Sequence, residues 1–368
     1  AAKAANPSSV PELWKAGPME VYSGQAQQAL YLLKENPMLF DSAIDEALEL
    51  LDVQRAQEEE QRAQMEPSDK VKADTLMLRR RMEEVRQNER ARVVTELLYL
   101  KVCSKFKTLK VPLIPPMKGG GDVKFGTLDL KGLTSDIYSA DSLDLVRDHL
   151  FRIIGQQGST SFMGGMAVVQ IALFQAGQVY AMSSLFGYYL RRVDARYQLE
   201  KLAGSFGAWG EEGGSGTEAR AATAFADEDK EGMSSLKDYV SQFGPAEVQR
   251  MTTVASAEAQ MAMEQQVTAL FGDLRQLKEK LVGALGQVSS NEEATQKLEQ
   301  AIQRGEVESL RITSDDLRRL VLEAVAYGAL LNDSEKQVDS VYELTPSGRR
   351  PLGALTGDDD DEGRYLTE

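Results

Sequence analysis

Apolar residues recur three and four positions apart along most of the chain, and strict alternation is almost absent, so the pattern predicts an α-helical protein. A first helix is expected from Ser23 or Gly24 to Glu35. Asn36-Pro37 stops it, because a residue before proline is pushed out of the helical region. Residues 41–64 predict a second helix with Ile44, Leu48 and Leu51 on one face. Residues 69–107 predict a long third one. Pro112, Pro115, Pro116 and Gly119-Gly120-Gly121 predict a loop without regular structure over 108–134. Helices follow at 141–154, capped by Ser139 or Asp141, and at 162–201, where no charge occurs between Ile153 and Arg191. Gln170, Gln175 and Gln178 interrupt that apolar run, so it reads as a buried core helix and not a membrane span. Helices resume at 234–243 and 245–285. A strand is expected at 307–312, a helix capped by Thr313 or Ser314 runs to Leu331, and 338–344 is a candidate partner strand.

Internal similarity organises these elements. Leu30 to Leu33 before Pro37 resemble Leu236, Tyr239 and Val240 before Pro245. The run from His149 to Gly155 resembles that from Gln266 to Gly272, and Ser184-Leu185-Phe186-Gly187 resembles Val325-Ala326-Tyr327-Gly328. The expectation is an all-α protein of two divergent copies of a helical module, with at most a small strand pair near the C-terminus. Its parts are a flexible N-terminus (1–22), a first module (23–202) with an inserted long helix and Pro/Gly loop (about 66–134), an acidic Gly-rich linker (203–232), a second module (233–345) and a disordered acidic tail (346–368). Gly177, Gly187 and Gly328 sit inside apolar helices, where glycine costs about 1 kcal/mol relative to alanine. They mark expected sites of close helix–helix approach.

Composition narrows the chemistry. The chain has 42 Lys and Arg against 57 Asp and Glu, a formal charge of −15, one Cys and one His. An acidic chain is a poor bulk nucleic-acid binder, although a local basic patch is still allowed. With Cys103 alone, no intramolecular disulfide and no Cys-based zinc site forms. With His149 alone, a His-rich metal site is excluded, and any Ser-His-Asp triad has to use that residue. The first residues are Ala/Ser-rich and free of acids until Glu12, as after removal of an organelle transit peptide or at a trimmed start.

Four blocks of sequence are similar to the plant UV-B-induced chloroplast protein family, which carries a domain of unknown function. They are Asn88-Glu89-Arg90-Ala91-Arg92 running to Tyr99, Gly177 to Ala181 through Gly187 to Asp194, Leu236 to Val240 through Ala269 to Gly272, and Leu317 to Val325. The resemblance covers most of 25–345 and departs from the family in the linker and both ends. It implies a nuclear-encoded plastid protein with its transit peptide removed, and it implies no catalytic residues; the stroma is the expected compartment, and no cofactor is expected.

Read from the residues themselves, the sharpest polar feature is Asn88-Glu89-Arg90. Leu78, Met82 and Val85 continue into Val93, Leu97 and Leu100 as one helix face, and Asn88 and Glu89 interrupt it. A buried Glu89 needs a partner such as an Arg. A structural network is the preferred reading, and a ligand or partner contact is the other. The same helix is basic: twelve Lys and Arg against five Asp and Glu lie between Lys70 and Lys110. Arg79, Arg80, Arg81, Arg86 and Arg92 form a candidate basic surface for phosphate, lipid headgroups or an acidic partner. Pairs at Arg79–Glu83, Arg80–Glu84 and Arg92–Glu96 favour a salt-bridged solvated face instead. Ser234-Ser235-Leu236-Lys237 matches S-x-x-K without its companion motifs. The glycine clusters lack phosphate-loop spacing, and Asp358 to Glu362 lacks that of a calcium loop. His149 and Cys103 read as core-edge and core residues. Tyr180, Tyr188, Tyr189 and Tyr197, with Arg191, Arg192 and Arg196, read as core packing more readily than as a cofactor groove. The functional expectation is a non-enzymatic interaction or regulatory protein acting through exposed helical surfaces. Its partner is a protein, and nucleic acid and peripheral membrane association are the alternatives.

Overall fold

The computed structural model describes residues 17–64, 73–125, 130–157, 168–203, 235–286 and 290–347. The described residues form eleven α-helices and three short strands. Helix α1 (Gly24–Glu35) starts where Ser23 accepts from the Ala26 amide, as its N-cap position requires. Helices α2 (Phe40–Gln64), α3 (Ala73–Thr108) and α4 (Ala140–Gln157) follow the apolar pattern. Ile44, Leu48 and Leu51 of α2 are buried, and Ser139 caps α4 by accepting from the Ser142 amide at 3.2 Å.

Several boundaries differ from expectation. The run expected as one helix over 162–201 begins, within the described residues, as strand β2 (Val168–Ala172) before α5 (Leu173–Ala203). Val168, Val169 and Ile171 are β-branched, and sheet pairing overrides the helical reading there. The expected continuous helix at 245–285 is three: α7 (Pro245–Thr252), α8 (Ala257–Phe271) and α9 (Leu274–Leu285), preceded by α6 (Leu236–Ser241). Ser256 and Asp273 act as N-caps at the breaks, and Gly272 takes a positive φ. Helix α10 (Asn291–Gln303) went unanticipated. Strand β3 (Ser309–Thr313) is where 307–312 predicts it, and Thr313 caps α11 (Ser314–Asp339). Its antiparallel partner is β2, not 338–344, which completes α11 and a turn. The Pro/Gly loop is more ordered than expected, since β1 (Gly121–Val123) pairs parallel to β3 and a short 3-10 turn spans Leu130–Leu133. Gly120 fits because its backbone lies against Ser309, where a side chain has no room.

The two modules share one hydrophobic core, and a local two-fold relates its centre. Strand β2 runs straight into α5, and β3 runs straight into α11. Gln170 is the register partner of Arg311, and the interval between them equals that from Gly187 to Gly328. Gly187 of α5 lies on the backbone of Val325, and Gly328 of α11 lies on the backbone of Ser184, the reciprocal contact. Removing both Cβ atoms lets two helix backbones touch, which the glycine positions anticipate. Gly177 serves similarly under Leu274 and Phe271. Around this pair, the inner half of α3 packs on α11, α8 packs on α5, and α3 and α8 meet each other. The N-caps of α4 and α8 correspond in the same way: Ser139 donates to Asp194 of α5 as Ser256 donates to Glu335 of α11, and the interval from Asp194 to Glu335 again equals that from Gly187 to Gly328.

Besides Asp194, which accepts from the Ser139 hydroxyl at the start of α4 at 3.0 Å, two carboxylates hold helix starts from outside their own helices. Glu96 of α3 accepts from the backbone amides of Tyr22 and Ser23 and from the Ser23 hydroxyl. Glu335 of α11 accepts from the Ser256 amide at 2.9 Å, from the Ser256 hydroxyl, and from the Tyr188 hydroxyl at 2.6 Å. Each acid thus clamps the capping serine of α1 or α8. Replacing Glu335→Gln leaves one acceptor for three buried donors and is expected to cost about 2 kcal/mol, read as a lower urea midpoint with unchanged slope.

Candidate interaction cleft

The outer half of α3 leaves the core alongside the end of α2. Between these two helices, α8 and the segment after α11, a cleft of about 660 Å³ opens to solvent. Its walls are charged. Arg90 is paired with Glu58, and Arg86 approaches the same carboxylate at 4.0 Å. Arg55 pairs with Asp52 at 3.0 Å and Glu343 at 3.2 Å, and lies 5.0 Å over the Tyr342 ring. On the cleft wall Glu258, itself buried, accepts from the Thr345 amide at 3.1 Å, and burial pushes its carboxyl above the usual range. Each of these cations faces a carboxylate, so the walls present alternating charge and not a single-sign field.

Asn88, Arg86 and Arg90 come together in this cleft, but Glu89 does not. Asn88 and Glu89 are exposed, so the network that locks α3 uses Arg90 and Glu58 on α2, a partner the local pattern does not indicate. The continuous apolar face is also corrected. Val93, Leu97 and Leu100 are buried, whereas Leu78, Met82 and Val85, with Met77, are 47–66% exposed. The helix outruns the core, and only its inner half has something to pack against.

The candidate basic surface divides in the same way. Arg79, Arg80, Arg81 and Arg92 are exposed, and Arg80 pairs with Glu84 at 3.1 Å. The expected Arg92–Glu96 pair does not form, because Glu96 turns inward to Ser23. Lys101 is buried and lies 3.6 Å from both Asp41 and Asp45, so it adds nothing to an outward field. Burial lowers Lys105 to about 8. Replacing Glu58→Gln is expected to remove about 1 kcal/mol and loosen the end of α2, seen as faster amide exchange over 55–64 with the core unchanged.

His149 stacks on Phe186 with ring centroids 4.1 Å apart, and its Nε2 shares a hydrogen bond with the Ser183 hydroxyl at 3.0 Å. Desolvation lowers its pKa to about 4, so the imidazole is neutral. Ser183 is fully buried, whereas His149 is half-buried. Cys103 is buried, and its thiol is pushed up to about 12 by desolvation, which makes it unreactive. Tyr180, Tyr188 and Tyr197 are core residues. Their arginine neighbours brace helices: Arg191 holds Asp333, Arg196 holds Glu200 and Glu247, and Arg192 donates to the carbonyls of Arg250, Met251 and Thr253 at the end of α7. Ser235 caps α6 and Lys237 pairs with Asp148 at 2.8 Å; Ser234 lies outside the described residues, as do 203–232 beyond Ala203, Gly213 to Gly216 and Asp358 to Glu362. Among the described residues no group of His, Cys, Asp or Glu is placed to hold a metal ion, and no helix is long and apolar enough to cross a membrane.

Sequence reasoning missed Glu96, Glu335 and Glu323. Glu323 is fully buried on α11, and both its oxygens accept from the Ile114 amide at 3.0 Å. Its place in the block from Leu317 to Val325, apolar on either side, was the available signal.

Fold and cleft together define a helical protein built on a two-fold strand–helix core, with a projecting helical arm. The chain belongs to the family of proteins of unknown function DUF760, which it matches over residues 50–203 and 235–339. It is 30% identical over 353 residues to a chloroplastic UV-B-induced protein of Arabidopsis thaliana, an alignment that covers 88% of this chain and 77% of that protein. No solved structure matches the chain.

Proposed function

We propose that this is a non-enzymatic plastid protein, resident in the stroma, that serves as an interaction or regulatory component through exposed helical surfaces. The observation that carries the reading is the outer half of α3, which holds four apolar side chains in solvent beside arginines on a helix braced by α2. Exposed apolar faces rimmed by charge are the usual mark of protein contact surfaces. The chloroplastic relative supports the compartment. Burial leaves His149 a weak base stacked on Phe186 and raises the Cys103 thiol to about 12, which favours a non-catalytic reading of both. Nucleic acid is the weaker reading, since Lys101, Arg86 and Arg90 spend their charge on carboxylates of α2.

The test is affinity purification of the tagged full chain from plastid extract, with and without nuclease. A stoichiometric protein that survives nuclease and is lost with Leu78→Glu is the expected result. Recovery of ribosomal or nucleoid proteins that vanishes with nuclease, or a specific turnover by the purified chain, overturns it.

A further inference from the structure

The arm of α3 and the point where the chain leaves the fold lie together. The last described residues run beside the start of α8: the Ala257 amide donates to the Thr345 carbonyl at 2.8 Å, and the Ser347 amide donates to the Ala255 carbonyl at 2.9 Å. Thr345 and Ala257 line the cleft with Glu83, Gln87 and Ala91 of α3, so the chain leaves the described fold beside the base of the arm. Past that point the sequence carries Leu352 and Leu355 and then five consecutive acids, Asp358 to Glu362. One side of the arm is their complement. At about 3.6 residues per turn, Leu78 and Val85 fall within about 60° of Met82. Arg79 and Arg86 border that stripe on one edge, Arg81 and Arg92 on the other, and Glu89 is the one acid among 77–92 on this side. Arg86 turns to Glu58, whereas Arg79, Arg81 and Arg92 are exposed and have no carboxylate partner among the described residues.

We infer that residues 348–362 of this same chain cover the arginine-edged apolar side of the arm, with Leu352 and Leu355 on the stripe of Leu78, Met82 and Val85, and the acids from Asp358 to Glu362 on Arg79 and Arg81. The direction suits the charges. The segment starts at the base of the arm, where Glu89 offsets Arg92, so Arg349 and Arg350 meet no net positive field there. Its acids come last and reach the outer part, where Arg79 and Arg81 stand exposed. The reach is sufficient. Ten residues separate Ser347 from Asp358 and span up to about 33 Å when extended, whereas Ala91 to Arg79 is about 18 Å of helix. The tether selects this occupant over a second copy, because a segment attached at that distance acts at an effective concentration on the order of millimolar. Exposed ion pairs are individually weak, so the cover is reversible and gives way to a protein partner that binds the arm. The segment is thus an internal competitor for the contact surface.

This inference rests on the reading of the arm as a contact surface and adds what occupies it before a partner arrives. Cys103 is buried, so introduced surface cysteines are the accessible thiols. In the full chain, Leu355→Cys is combined with Met82→Cys or, as a control of equal reach, with Arg80→Cys, which lies about 160° around the helix from Met82. Under mild oxidation the Met82 combination is expected to close an intramolecular disulfide at least about tenfold faster than the control, at unchanged chain mass. Added salt is expected to slow that closure. Arg79→Glu with Arg81→Glu is expected to bring it to the control rate, and adding Asp358→Lys, Asp359→Lys, Asp360→Lys and Asp361→Lys to the same chain to restore it. Equal rates for the two combinations, or closure indifferent to the charge reversal, overturn the inference. So does a linked product of twice the chain mass, which assigns the face to a second copy. A Met82→Cys thiol shielded from maleimide only when vesicles of anionic phospholipid are added assigns it to a membrane, with the same consequence. Equal closure rates in a chain that still captures its plastid protein through Leu78 sink this inference alone, whereas fast, charge-dependent closure in a chain that captures nothing sinks the proposed function alone.

Discussion

Replacing Gly328→Ala is expected to destabilise the protein by at least about 3 kcal/mol, and Gly187→Ala by a similar amount. At each position the added methyl falls on a backbone carbonyl, Ser184 for Gly328 and Val325 for Gly187. A flexible side chain can move aside, but a helix backbone cannot without moving its whole helix. Helices α5 and α11 must then separate, and separation opens the centre of the core, where Tyr180, Tyr188, Val325 and Tyr327 are fully buried. Thermal unfolding is expected to shift down by about 4 °C or more. The control is the same substitution where the glycine has open space. Gly155→Ala in α4 and Gly283→Ala in α9 meet nothing within 4 Å, so helix propensity alone acts and each gains up to about 1 kcal/mol. Equal effects at all four positions show that the close approach of α5 and α11 is not what the glycines serve.

The second large effect is a pH dependence. Glu323 is buried among apolar side chains, and desolvation raises its pKa from 4.5 to about 8, partly opposed by the Ile114 amide and by Arg319. In the unfolded chain the carboxyl ionises near 4.5, whereas in the fold it stays neutral to about 8. The folded form is therefore favoured in full below about 4.5, and that advantage is lost as pH rises toward 8. This one group is expected to remove on the order of 4–5 kcal/mol of stability across that window. Glu323→Gln keeps a carbonyl for the Ile114 amide and cannot ionise, so its stability should be flatter with pH and should exceed that of the parent chain at pH 8. Urea unfolding of both chains from pH 5 to 8.5 measures the difference. Parallel curves mean that Glu323 ionises in the fold without penalty.

Both effects arise from contacts distant in sequence, and they differ in how far the sequence announced them. The glycines were legible, because Gly187 and Gly328 interrupt helices that otherwise gain from alanine. The matched runs Ser184 to Gly187 and Val325 to Gly328 also placed them in corresponding positions of two copies. Helix starts at Ser23, Ser139 and Thr313 were legible for a local reason: a capping hydroxyl and the amide it binds lie within three residues. The strand at Val168–Ala172 was not, since five apolar and polar residues that run straight into Leu173 read equally well as helix, and only pairing with β3 decides between them.

What the sequence determined by itself is the set of interactions that close within one or two helical turns: the helices, most of their caps and the exposed charge on α3. Tertiary structure alone decided which half of α3 is core and which is arm. The periodicity from Leu78 to Leu100 is continuous, and burial depends on where the neighbouring helices stop. It also decided the partners of the acids. Glu96 looked like the i,i+4 mate of Arg92 and instead clamps Ser23, Glu335 clamps Ser256, and Glu58 on α2, not Glu89, meets Arg90. A carboxylate takes the nearest desolvated donor, and which donor is nearest is set by how the helices cross, a quantity that spacing along one helix does not contain.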